Sequence, residues 1–498
     1  MPLNLLDRIG EINPQLFREL KGRLKVRNVT SAVTISLLGQ LLLLRFGLQD
    51  YPAIQQIFSF ISVIVMFALL VMGTYMLISD LAREERRGTL NFIRLSPQSA
   101  RSILGGKMLG VPMLLYLAAV LTIPLHLWSG LSAQIPLVEI ISFWAVMIAS
   151  CAFFYSGALL FGLVSSGLSG FQAWLGSGAV LLFLYIASNK WIERNPGDWL
   201  KLFCPFFGNF EEWQWFDLPL GESEDCVFIF VLLNYGIGTY WIWQALNRRF
   251  HNPDATLVSK QQSYLLSACV AVVSLGFAVQ SPTSGYSSFD NFISLLSLNL
   301  LLLVGLIAVL SPHRQDCTDW ARYRRKKASA LIKDLIWGEK SPAVVAIAIN
   351  LAITSVPMAV WILFWPVAPK SDRTMEALLG LVLILSLILI YATLTQLMLL
   401  MKTNKRAIWA AGTVVAANVL PPSILMLLSL YPDSAGKWVG LWLFTTAPWD
   451  ALKYVSAMLV IQALLVQWSI LGLLNWQLTR QLRRIGESES KALFAGHP

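Results

Sequence analysis

Glu84-Glu85-Arg86-Arg87-Gly88-Thr89-Leu90-Asn91-Phe92-Ile93-Arg94-Leu95-Ser96-Pro97 stands between two long apolar runs, the second reached through Ile103-Leu104-Gly105-Gly106-Lys107. So many charges cannot lie in hydrocarbon, where each would lose its hydration without a partner. The stretch faces water, and its arginines assign it to the cytoplasmic side of a membrane. The runs on either side are then membrane spans, and the rest of the chain repeats the pattern.

The 498 residues are 56% hydrophobic and 13% charged, with mean hydropathy +0.62. A soluble protein of this length carries about twice that share of charge. Apolar runs of ~20 residues recur, the length that crosses the hydrocarbon core, and none alternates as a barrel strand does. The fold class is all-α: a polytopic helical membrane protein with about twelve spans. They are read at 28–48, 57–80, 103–128, 136–163, 171–188, 226–246, 263–280, 290–311, 342–365, 376–401, 407–430 and 453–475. Residues 1–27 are polar and basic, without the apolar core of a cleavable signal.

Charge placement agrees with this count. With both termini inside, 30 of the 38 Lys/Arg fall on cytoplasmic segments. Six fall outside: Lys190, Arg194, Lys201, Lys370, Arg373 and Lys437, and Arg45 and Lys453 sit at span ends. Such a bias sets orientation. It also accounts for the net charge of +10 without nucleic acid, because anionic headgroups attract a basic inner face. The nineteen Trp suit interfacial belts. Five cysteines have no metal spacing; Cys204 and Cys226, both read as external, are either free thiols or a pair.

The halves 1–250 and 251–498 read as two six-span units. Trp243-Gln244 before Arg248-Arg249 recurs as Trp476-Gln477 before Arg483-Arg484. Leu202-Phe203-Cys204-Pro205 before span six matches Leu443-Phe444 and Pro448 before span twelve. Leu90 to Pro97 aligns with Leu335 to Pro342. Internal repeats are common in transporters.

Asn13-Pro14 followed by Leu16, Phe17, Leu20 and Leu24 reads as a capped helix lying in the interface plane. In the hairpin, Gly88 supplies a tight turn and Thr89 is read as the cap of the next short helix. Phe92 and Leu95 are apolar knobs on a water-facing element, and Pro97 ends it. The aromatic loop 189–225, with Trp199, Phe203, Phe206, Phe207, Trp213, Trp215 and Phe216, suggests short helices dipping into the outer leaflet, or an interfacial belt. Ser165 to Gly170 reads as a tight turn between spans four and five.

The hairpin resembles the coupling-helix segment of type-2 ABC export permeases, in which charged residues, Gly-Thr, a short helical run, Ser/Thr-Pro and Ile-Leu-x-Gly-Lys follow one another. Family members often have Glu where Asn91 stands. The resemblance is specific over roughly 80–110 and weak beyond residue 250. It implies that Glu84, Glu85, Gly88, Thr89, Phe92, Leu95, Ser96 and Pro97 contact a separate ATPase subunit, two copies serving one fused chain in a bacterial inner membrane. The second segment keeps Trp337, Ser341 and Pro342 but lacks Gly-Thr, and reads either as a second contact or as a basic linker helix.

No enzyme site emerges: Gly106-Lys107 precedes Met108 and is no phosphate loop, and His126, His251, His313 and His497 are scattered, with His126 read as interfacial. No cofactor is expected, and lipid is the surrounding partner. The rival readings are a twelve-span secondary transporter, which would need titratable groups inside its spans, and a non-transporting scaffold.

Overall fold

The computed structural model describes residues 8–47, 51–165, 170–188, 196–205, 213–279, 288–326, 331–364, 373–403, 405–434 and 436–486. The chain is an all-α, multi-pass membrane protein. Among the described residues, eleven helices are long and apolar enough to span a bilayer, and Gln172–Ala187 is a shorter apolar helix at the place of the fifth expected span. Residues 166–169, Phe206, Phe207, Lys190, Arg194 and Lys370 lie outside the described residues.

Two compact units divide at Pro253/Asp254, against 250/251 read from the sequence, and Arg194–Gly197 and Gln214–Leu218 belong to the second unit. In the first unit the helices are α1 (Pro14–Arg23), α2 (Val26–Gly47), α3 (Tyr51–Phe67), α4 (Gly73–Arg86), α5 (Thr89–Arg94), α6 (Ala100–Gly110), α7 (Met113–Ser132), α8 (Leu137–Val164), α9 (Gln172–Ala187) and α10 (Glu224–His251). The second unit contains α11 (Lys260–Ala278), α12 (Ser288–Leu310), α13 (Arg314–Lys326), α14 (Leu331–Trp337), α15 (Val344–Phe364), α16 (Thr374–Leu399), α17 (Arg406–Leu427), α18 (Trp449–Leu452) and α19 (Ala457–Ile485).

Each unit is built round one helix. In the first, α8 packs against α4 and α10; in the second, α16 packs against α12, α15, α17 and α19. A 3-10 segment precedes the last span of each unit, Pro196–Phe203 and Gly436–Phe444. A buried polar side chain of that span holds it. Trp199 Nε1 donates to Asn234 Oδ1 at 2.7 Å in one unit, and Gln467 Nε2 donates to the Leu443 carbonyl at 3.1 Å in the other. In a low-dielectric interior an unmade bond of this kind leaves a polar group unsatisfied, which explains why polar residues stand at these apolar positions.

Span two is broken by a π-helical turn, Ala68–Met72, whose Leu69 carbonyl accepts a 2.7 Å bond from Tyr155 Oη. Gly73 leaves the room that the Tyr155 ring takes up; a Cβ there would collide with the ring. Insertion of a side chain into the backbone ladder is a recognised cause of such a turn.

Two expectations are corrected. The aromatic loop forms a 3-10 segment at Pro196–Phe203, but Trp215 to Leu218 is a tight reversal closed by paired backbone bonds rather than a short helix. Phe216 and Asp217 have φ of 49° and 58°, values no right-handed helix contains. Trp215 Nε1 donates to the Val273 carbonyl at 3.2 Å, and its indole lies over Gly276. The second correction concerns His126, which is fully buried rather than interfacial. It stacks on Phe58 at 4.3 Å and accepts from Trp144 Nε1 at Nδ1. Cys204 is buried, Cys226 exposed, and both are free thiols.

Candidate functional site

Gly88 has φ +71°, the left-handed conformation in which L side chains are strained. The chain therefore turns sharply at the end of α4, and the Gly88 amide donates to the Glu85 carbonyl at 2.9 Å. Because the reversal is complete at Gly88, α5 starts at Thr89, and Gly88 stands at its cap position with no side chain. Thr89 is not the cap. Its Oγ1 donates back to the Glu84 carbonyl at 3.1 Å, closing the open end of the helix it follows. The capping serine is Ser99, whose Oγ accepts from the Ser102 amide at 3.1 Å and starts α6.

The short α5 has two faces, set by residues three apart. Leu90 and Ile93 point inward, 3% and 8% exposed; Phe92 and Leu95 point outward, 80% and 86% exposed. Burial lowers the pKa of the Arg94 guanidinium, which the neighbouring Glu85 pulls up. Arg94 donates to Asn91 Oδ1 at 3.1 Å and lies 5.9 Å from the Phe250 ring, steadying the element from the side. Ser96 is half-buried and Pro97 exposed at its far end.

A charge cluster supports the hairpin from beneath. Lys107, on α6, is 1% exposed. Its Nζ lies 2.6 Å from Asp80 Oδ2, 2.8 Å from Glu84 Oε2 and 3.8 Å from Glu19 Oε1. Arg18 pairs with Glu84 and with Glu19, and Arg23 pairs with Asp80 at 3.1 Å and Glu19 at 3.5 Å. Although burial works the other way, the Glu84 and Glu19 carboxylates hold the Arg18 guanidinium above its ordinary pKa. Glu19, Asp80 and Glu84 converge as metal ligands would, within 4.8 Å of one another. The Lys107 ammonium takes the place of a cation among them, so three acids face three bases.

The N-terminal helix is what brings these charges together. Asn13 caps α1 by accepting from the Leu16 amide at 3.0 Å, as its sequence implies, and donates to the Ser102 carbonyl at 2.8 Å. Gly106 and Gly110, one turn apart, leave a groove that α1 fills; a Cβ at either would meet Asn13 or Glu19. Small residues at this spacing allow close helix approach. Gln15, Glu19 and Leu20 are buried there, so α1 docks on α6 through a partly polar face.

The second segment is fastened differently. Lys260, at the start of α11 and 2% exposed, donates to the Leu335 carbonyl at 2.7 Å, Ser341 Oγ at 2.6 Å and the Pro342 carbonyl at 3.2 Å. Three donors meet three acceptors, which satisfies the ammonium without a carboxylate. Tyr264 Oη donates to the Ile336 carbonyl at 2.7 Å, and its ring meets Trp337 edge-on at 5.6 Å. Ser341 and Pro342 are buried and face Lys260; Trp337, 51% exposed, is the member of this set on the surface.

Of the residues singled out in the sequence, Phe92 and Leu95 are outward, while Gly88, Thr89 and Glu84 build the turn that carries them. Sequence reading missed Lys107, Asp80, Glu19, Arg18, Arg23 and Lys260 as partners. A signal existed: Asp80 and Glu84 are four apart on one helix face, as are Glu19 and Arg23. No protein-family model, curated protein or solved structure matches the chain.

Proposed function

We propose that the chain is the membrane subunit of an ATP-driven exporter in a bacterial inner membrane, similar to type-2 ABC export permeases, with its termini in the cytoplasm and a separate ATPase subunit, in two copies, beneath it. The observation that carries the reading is the pair Phe92 and Leu95, 80% and 86% exposed on a short helix at the basic end of its spans. Apolar side chains held out into water on a supported turn are the form a docking knob takes.

The support suits a transmitting element. A push on Phe92 and Leu95 moves α5, which Leu90 and Ile93 tie to the protein. Glu84 lies between the hairpin and Lys107, and Lys107 ties α4 to α6 and, through Glu19, to α1. ATP acts by favouring one arrangement of these helices over another.

The secondary-carrier reading needs a side chain that gains and loses a proton inside the spans. His126 is poorly placed for that. Trp144 Nε1 donates to its Nδ1 at 3.2 Å, and Ser62 Oγ, 2.9 Å from Nε2, donates to the Phe58 carbonyl. That pattern assigns a neutral ring protonated at Nε2, with no acceptor for a second proton.

The test is co-purification and reconstitution. Phe92→Asp with Leu95→Asp replaces two exposed side chains, so expression and insertion stay near wild type. Loss of a docking aromatic costs ~2 kcal/mol or more, so ATPase association falls at least tenfold and substrate movement with it. Unchanged association in the double variant, or substrate movement driven by a proton gradient without ATP, contradicts the proposal.

A further inference from the structure

Within the second unit a groove of about 600 Å³ opens where α13, α14 and the ends of α15 and α19 converge. Its size lies in the range of small-molecule sites. Leu335, Val344, Leu478 and Leu482 make the walls, with Leu478 continuing into a buried cluster that includes Cys317, Leu397 and Leu400. Arg483 stands on its rim, exposed. Val344 begins a membrane span and Arg483 is in the last turn of another, so the groove lies at the depth of a bilayer interface. Gly486 lets the end of α19 lie close to the Ala321 carbonyl, which a Cβ there would meet at 3.1 Å.

The charge on its rim comes from the end of α19. The last two turns of α19 carry Arg480, Arg483 and Arg484 and no acid. The described part of α13 is balanced, with Arg314 and Arg322 against Asp316 and Asp319. An apolar slot at interface depth with a basic rim matches an amphiphile with acyl chains and a negative headgroup; basic pockets between spans bind such lipids.

We propose that this groove binds one anionic phospholipid, its phosphate at Arg483 and an acyl chain along Leu478 and Leu482. The inference does not depend on the exporter reading, because it needs only the membrane and the second unit.

The full-length chain, purified in detergent, is titrated with phosphatidylglycerol and with phosphatidylcholine of the same acyl chains, and bound lipid is counted by native mass spectrometry. One phosphatidylglycerol is retained at least tenfold more tightly than phosphatidylcholine. Arg483→Gln brings the two lipids to within a few-fold of each other, and Thr479→Trp, which fills the groove, removes the tight site. Lys405→Gln, an exposed charge away from the groove, leaves it intact. Equal retention of both lipids overturns the proposal, as does an equal loss in Lys405→Gln. Glycerol phosphate binding as tightly as the lipid would make the site a headgroup site only. Lipid binding that appears only after truncation at residue 486 would make the chain's own terminal segment the occupant.

Discussion

Lys107 Nζ sits 2.6 Å from Asp80 Oδ2 with only 1% of its side chain exposed, so a full positive charge is held inside the first unit by carboxylates from two other helices. Its removal leaves Asp80, Glu84 and Glu19 facing one another with two arginines at their edge. Breaking a buried pair by removing one partner costs ~3–5 kcal/mol. Lys107→Met should therefore lower the thermal midpoint of the detergent-solubilised chain by several degrees and open the hairpin to trypsin at Arg86 and Arg87. A variant that also carries Asp80→Leu should recover part of that loss. Additive losses in the double variant would show that the two residues do not interact.

The turn at Gly88 gives a backbone test. A Cβ at 88 would meet no atom within 4 Å, so any penalty comes from φ +71° alone. Gly88→Val should cost the turn ~1–2 kcal/mol, raising hydrogen exchange at Gly88 to Leu90, whereas Gly88→Asn, which tolerates this conformation better, should stay close to wild type. Equal exchange in both variants would contradict the left-handed turn.

What sequence could and could not disclose follows from the range of the forces. Apolar runs of span length are local, so eleven spans were legible, although the third starts at Met113 rather than 103; the fifth expected span is the shorter apolar helix Gln172–Ala187. The outward face of α5 was legible because Phe92 and Leu95 are three apart; the inward face of Leu90 and Ile93 came only with the structure. Thr89 was misread as a cap because the left-handed Gly88 moves the helix start by one residue. The partners of Lys107 could not be read, since Glu19 reaches it only after Gly106 and Gly110 admit α1. His126 was misread as interfacial because Ser62 and Trp144, which satisfy its nitrogens, come from other spans.

The hydrogen bonds of His126 make a spectroscopic prediction. With ring-labelled histidine, the buried imidazole should give the neutral pattern protonated at Nε2, since Nδ1 accepts from Trp144. Trp144→Phe should shift its Nδ1 resonance and leave the Nε2 proton in place. An imidazolium pattern for this residue in the wild-type chain would contradict the network.

Thiol chemistry separates the cysteines. Burial pushes the Cys317 thiol up to about 12, and Gln396 Nε2 lies 3.4 Å from its sulfur. The thiolate is the reactive form, and at about pH 8 its fraction at Cys317 is on the order of one in ten thousand. Raising the pH increases that fraction, so Cys317 should resist maleimide at about pH 8 and label only on unfolding or in strong base. Cys226, exposed at the start of α10, should label in the folded protein. An impermeant reagent should reach it from outside intact cells, while a cysteine at exposed Thr89 should label only after permeabilisation. Labelling at 89 from outside would reverse the proposed orientation.

Photo-crosslinking from position 92 tests the coupling claim most directly. With benzoylphenylalanine in place of Phe92, irradiation of intact cells should join the chain to a protein that carries an ATP-binding phosphate loop, and Leu95→Asp in the same chain should reduce that adduct at least tenfold. Crosslinks to lipid alone, or to a protein without a nucleotide site, would contradict the account of this hairpin as the place where ATP hydrolysis acts on the membrane helices.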